Sequence, residues 1–135
     1  MLLENRRIFY IEDDLNNRAV VQTILERNGA KFAFERWGDA NSLTKLEAFM
    51  PVDLILLDLM LPNHVSGYDV YEAIRADSGL RDVPVVIISA ADPSIEMPKA
   101  RRKGIQGYIS KPIDVLTFPR LIAHFFEGQS IWVAS

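Results

Sequence analysis

Three observations predict an α/β fold with a parallel sheet covered by helices on both faces. Short apolar runs alternate with segments of helical spacing, the inner runs are continuously apolar, and charged residues stand at the runs' carboxyl ends. Ile8 to Ile11, Leu54 to Leu57 and Val85 to Ile88 are unbroken, as expected of strands buried on both faces. Gly107-Tyr108-Ile109 is a weaker fourth run. Phe32 and Phe34 alternate with polar neighbours over Lys31 to Arg36, the pattern of a half-exposed edge strand.

Helical spacing fills the gaps between strands. Val20 and Val21 recur with Ile24 and Leu25, and Leu43, Leu46 and Phe49 step by three, with Asp39 as a candidate cap. Gly67 opens a segment that places Val70, Ala73 and Ile74 on one side, and Ile113 to Phe126 reads as a last helix interrupted by Pro119. Strict alternation of strand and helix implies right-handed crossovers.

With 135 residues the chain is expected to form one domain with a single sheet-centred core. It has no cysteine, which excludes disulfides and thiolate metal sites and fits a reducing cytoplasm. Charge at Glu4, Arg6 and Arg7 breaks up any signal-peptide core, and no apolar run approaches the roughly 20 residues of a membrane span. A net charge of −3 argues against direct nucleic-acid binding, which depends on basic surface.

The chemistry lies at the strand ends. Glu12-Asp13-Asp14 follows the first strand, Asp58 the third, Ser89 ends the fourth and Lys111 follows the last. Carboxyl ends of parallel strands open into one crevice, so these residues are expected to converge. Clustered carboxylates repel one another, a cost that a hard cation such as Mg²⁺ removes with oxygen ligands. A carboxylate can attack phosphorus to give an aspartyl-phosphate, and phosphoryl transfer needs mainly positioning and charge neutralisation. The Lys111 ammonium and Ser89 hydroxyl are suited to that task. Asp14 is placed as the cap of the first helix.

From Ile8 to about Phe126 the chain resembles the response-regulator receiver family of two-component signalling, in the chemotaxis-type stand-alone form. Four motifs in order carry the resemblance: Ile8-Phe9-Tyr10-Ile11-Glu12-Asp13-Asp14, Leu54-Ile55-Leu56-Leu57-Asp58-Leu59-Met60-Leu61-Pro62, Val85-Val86-Ile87-Ile88-Ser89-Ala90 and Gly107-Tyr108-Ile109-Ser110-Lys111-Pro112. The resemblance implies a flavodoxin-like (βα)5 doubly wound sandwich, its five-stranded parallel sheet in the order 2-1-3-4-5. It implies a receiver domain over residues 1–127 and a short tail over 128–135. Asp58 would be the phosphoacceptor, and Glu12, Asp13, Asp58 and the Met60 carbonyl would hold Mg²⁺. Ser89 and Tyr108 would be switch residues, with the Tyr108 ring turning inward when Ser89 engages the phosphoryl group. Lys111 would neutralise the transferred group, and its bond to Pro112 would be cis. Ala90 would leave room for a small phosphodonor. The implied function is a phosphorylation-dependent switch rather than a turnover enzyme. It would be loaded by a sensor histidine kinase or histidine phosphotransfer protein and read by a separate output protein, since no effector domain is expected after Phe126.

Two departures from the family pattern stand out. Asp58 to Gly67 is one residue longer than usual, through Asn63-His64-Val65-Ser66, which predicts a reshaped loop beside the site. Pro98 falls inside the fourth helical segment, so that helix either starts late or is short and kinked. These two features favour the alternative of a phosphorylation-independent interaction module with the same fold. An aspartyl-phosphate phosphohydrolase resembling the haloacid dehalogenases would need Asp-x-Asp after the first strand, and dinucleotide binding would need G-x-G-x-x-G there; neither is present. His64 and His124 lack metal-ligand spacing. Lys99, Arg101, Arg102 and Lys103 suit a solvated helix end capped by Gly104, or else a dock for an acidic partner. Trp132 either packs back on the domain or begins something further.

Overall fold

A computed structural model describes residues 1–37 and 41–134. In chain order the elements are β1 (Arg7–Ile11), α1 (Leu15–Arg27), β2 (Lys31–Glu35), α2 (Ser42–Ala48), β3 (Leu54–Leu57), a 3-10 turn (Pro62–His64), α3 (Gly67–Ala76), β4 (Val85–Ser89), α4 (Pro93–Arg102), β5 (Gly107–Ser110), α5 (Phe118–Phe126) and β6 (Ile131–Val133). The strands form one sheet in the order β2-β1-β3-β4-β5-β6, with every neighbouring pair parallel. The expected five-strand order 2-1-3-4-5 is present, extended by β6.

Alternate residues of the central strands feed two cores. Phe9, Ile11, Ile55, Leu57, Val85 and Ile87 face one layer, which Leu46, Val70, Tyr71, Ile74 and Ala100 of α2, α3 and α4 complete. Ile8, Tyr10, Leu54, Leu56, Val86 and Ile88 face the other, filled by Val21, Ile24 and Leu25 of α1 and Phe118 and Ile122 of α5. Burial on both faces is the reason these strands read as continuous apolar runs.

Several local expectations are refined. Asp14 caps α1, accepting the Asn17 N–H at 2.9 Å. The proposed cap Asp39 lies outside the described residues. In α3 the buried residues are Gly67, Val70, Tyr71 and Ile74, whereas Ala73 is exposed, because the inward stripe continues through Tyr71. In α1 Val20 turns outward while Val21 is buried. The last helix starts at Phe118 rather than Ile113. The Asp114 carboxylate accepts the N–H groups of Leu116 and Thr117 and holds a turn ahead of it. Pro119 therefore sits in the first turn, where a missing N–H costs nothing. α4 begins at Pro93, capped by Asp92, and runs through Pro98. Gly104, with φ of 86°, supplies the left-handed residue after its end.

The end of the chain folds back on the sheet. Ile131 is buried, Trp132 pairs with Tyr108 across β5–β6, and the Arg101 guanidinium lies 4.2 Å from the Trp132 ring centroid. A Cβ on Gly107 would stand 2.8 Å from the Ile131 carbonyl oxygen, so glycine is what permits β6 to come this close.

Candidate functional site

Register carries the charged residues to one edge. Asp58 donates its N–H to the Ile11 carbonyl, Glu12 to that of Glu35 and Lys111 to that of Ser89, so the ladders extend one residue past the strands. This brings Glu12, Asp58 and Lys111 together. The Lys111 ammonium donates to Glu12 Oε1 at 2.7 Å and to Asp58 Oδ2 at 3.3 Å. Its peptide bond to Pro112 is cis, as expected.

Glu12 is the most constrained member. It is 1% exposed, and its Oε1 also accepts from Asn17 Nδ2 at 2.8 Å and from the Tyr10 hydroxyl at 3.4 Å. Its Oε2 is buried and has no hydrogen-bond partner. Burial, reinforced by the adjacent Asp58 carboxyl, pushes the Glu12 carboxyl up to about 7, with Lys111 pulling the other way. Burial first, then the negative charge of Glu12, also raises the Tyr10 hydroxyl. Two carboxyls thus share one ammonium, and one buried Glu12 oxygen has no hydrogen-bond partner. That donor chemistry fits a hard divalent cation.

Asp13 stands apart from this cluster. Its side chain is 45% exposed and pairs with Arg36 Nη2 at 3.4 Å. Among the described residues no three Asp, Glu or His side chains are grouped closely enough to hold a metal by themselves. Met60 donates its N–H to Asp58 Oδ1 at 3.3 Å and forms an antiparallel bridge to Ser66. The two bonds of that bridge use the Leu61 N–H and the Leu59 carbonyl, so the Met60 carbonyl takes no part in them.

The extended loop is accommodated by left-handed backbone. Asn63 and His64 have φ of 60° and 59°, which folds the extra residue into the 3-10 turn. The chain then returns so tightly that a Cβ on Gly67 would stand 2.3 Å from the Asp58 carbonyl oxygen. Only glycine fits where α3 begins under Asp58.

Ser89 and Tyr108 lie on the inner side of the same edge. Ser89 is fully buried and its Oγ accepts the Ala91 N–H at 3.1 Å. Tyr108 is also fully buried, and its hydroxyl donates to the Ala91 carbonyl at 3.3 Å. Burial raises the Tyr108 hydroxyl, and a hydrogen bond with Ser89 opposes the shift. Ala90 is exposed and, with Lys111, Pro112 and Val20, lines an open, largely apolar groove of about 420 Å³ beside the site.

Sequence reasoning did not single out Asn17, Tyr10, Ala91 or Arg36. Asn17 had a signal, since it follows Asp14 by three residues in the first turn of α1, the turn nearest the acids. Tyr10 and Ala91 stand two residues from Glu12 and Ser89 and bond to them locally, whereas Arg36 reaches Asp13 only through a tertiary contact.

The family described as the response regulator receiver domain matches residues 8–123. The polar-differentiation response regulator DivK of Brucella ovis is 31% identical over 120 residues, covering 89% of this chain and 95% of DivK. The DNA-binding response regulator MtrA of Mycobacterium tuberculosis is 35% identical over 107 residues, 79% of this chain but only 44% of MtrA. Among solved structures, the receiver domain of the sensor histidine kinase PA1611 of Pseudomonas aeruginosa, which has a magnesium ion coordinated in its active-site cleft, superposes with a TM-score of 0.75. It is 24% identical, and the match covers 93% of this chain and 99% of that one. The chain belongs to the response regulator receiver domain family.

Proposed function

We propose that this receiver accepts a phosphoryl group on Asp58 and converts it into a change of partner binding. The carrying observation is the Glu12–Lys111–Asp58 arrangement with its unpartnered, buried Glu12 Oε2. Glu12, Asp13, Asp58 and the Met60 carbonyl are the residues to hold Mg²⁺. The cation would offset their negative charge and that of the incoming phosphoryl oxygens.

The protein's own groups divide the remaining work. One Asp58 carboxylate oxygen attacks phosphorus, and the donor's phosphorus-bound group departs with its electron pair. Lys111, already positioned by Glu12, neutralises the transferred oxygens, while Asn17 and Tyr10 keep Glu12 oriented. Ser89 would rotate to donate its O–H to a phosphoryl oxygen, giving up the bond its Oγ accepts from the Ala91 N–H and so disturbing the Ala91 backbone whose carbonyl holds Tyr108. A histidine kinase or histidine phosphotransfer protein is the proposed donor, and a separate protein the proposed reader. The reshaped loop with Asn63 and His64 left-handed favours a second reading, a receiver fold that binds partners without phosphorylation.

Incubation with Mg²⁺ and acetyl phosphate, followed by intact-mass measurement, separates the two readings. Phosphorylation predicts a gain of about 80 Da in the parent, one HPO₃ on a carboxylate, and none in Asp58→Ala. No gain in either, with beryllofluoride leaving tryptophan fluorescence unchanged, would support the phosphorylation-independent module.

A further inference from the structure

The acidic pair is unequal in a way that points to a control on metal binding. Glu12 is buried and aimed at the site, whereas Asp13 is half-exposed and turned to Arg36. Arg36 is not a casually placed surface cation. Its backbone N–H donates to Glu35 Oε1 at 2.9 Å, and Glu35 is itself 6% exposed and paired with Lys45 of α2 at 2.8 Å. Trp37, immediately after it, adopts φ of 58° and packs against the core on the α2–α4 side. The base of the Arg36 side chain is therefore fixed from both directions while its guanidinium reaches back to Asp13. The Arg18 guanidinium of α1 lies over the Phe34 ring, 4.1 Å from its centroid.

We propose that Arg36 is a competing counter-ion that weakens divalent-cation binding by holding Asp13 away from the site. This rests on the proposed Mg²⁺-dependent function and goes beyond it, because it assigns a set-point to a residue outside the motifs. A cation arriving between Glu12 and Asp58 must draw Asp13 off Arg36, which costs the ion pair and leaves a guanidinium near a divalent charge. Both effects lower affinity. An exposed pair is weak, so the set-point is modest, with removal of Arg36 tightening Mg²⁺ binding by roughly two- to fivefold at low salt. The guanidinium fork also makes lysine an incomplete substitute.

The test is Mg²⁺ titration of the full chain by tryptophan fluorescence and, in parallel, by the Mg²⁺-dependent rise in melting temperature. Parent, Arg36→Gln and Arg81→Gln are compared, the last removing an exposed cation from the α3–β4 connection. Tighter binding in Arg36→Gln, with Arg81→Gln matching the parent, is the expected result. Equal affinity in all three would overturn the proposal while leaving the Mg²⁺ site intact. An equal gain in both variants would also overturn it, because net charge alone would then explain the change. If the parent shows no Mg²⁺ response by either readout, this inference falls together with the metal-dependent function. Metal-free melting temperatures show whether Arg36→Gln is folded, and the expected difference from the parent is small because the pair is solvent-exposed.

Discussion

Helices α3 and α4 have ten residues each, and each follows a strand that carries a site residue, yet they are attached very differently. α3 buries Gly67, Val70, Tyr71 and Ile74, and its first residue lies directly beneath the Asp58 backbone. α4 buries only Ala100, exposes Ile95, and contains Pro98, which cannot donate to the Ser94 carbonyl. Met97 packs half-buried against the core, and the helix's other ties are polar or cationic. The Tyr68 hydroxyl donates to Glu96 Oε1 at 3.2 Å, Lys99 and Lys103 lie over the Tyr68 ring, and Arg101 lies over Trp132. The contrast separates a fixed wall from a replaceable one. α3 holds Asp58 in place, while α4, entered directly from Ser89 through Ala91 and Asp92, has little apolar burial to resist displacement.

The comparison is broken most directly by truncating the wall. Ile74→Ala should cost about 2–5 kcal/mol, as for other fully buried aliphatic residues, read as a lower denaturant midpoint with unchanged slope. A loss below about 1 kcal/mol would mean that α3 is no better anchored than α4.

The cluster at the strand ends should register in the pH dependence of stability. The folded-state pKa of Glu12 is raised, so the native state binds more protons than the unfolded chain between 4.5 and about 7. Stability of the metal-free protein should therefore fall as pH rises through that window, by on the order of 3 kcal/mol at most, with the loss complete above it. Glu12→Gln should flatten that part of the profile, measured by urea unfolding at successive pH values.

Restoring the missing bond in α4 sharpens the contrast from the other side. Pro98→Ala should stabilise the protein by about 1–3 kcal/mol, and hydrogen exchange should slow in α4 but not in α3. Protection spreading equally to both helices would show them to be one unit. Ile95→Ala, on the exposed face of α4, should change stability by less than about 0.5 kcal/mol in the same assay.

Strands were the most legible part of the fold. The apolar runs at β1, β3 and β4 reflect burial on two faces, a property each residue carries into its strand. Helix boundaries were less legible, since Pro119 looks like an interruption until the Asp114 turn moves the helix start to Phe118. The edge position of β2 was readable, but the exchange within it was not. Phe34 is 43% exposed beneath Arg18, while Glu35 is buried through its pair with Lys45.

By itself the sequence determined the identity of the candidate acceptor, the ammonium beside it, and the parallel order that brings them together. Strand periodicity and strand-end placement are local, and parallel register converts them into one crevice. Tertiary structure decided what is not local. It aimed Glu12 inward with one oxygen unpaired, turned Asp13 out to Arg36, and added β6 where Gly107 leaves room for a sixth strand. Each of these depends on which side chain from another element arrives at hydrogen-bonding or van der Waals distance, and no spacing along the chain specifies that distance.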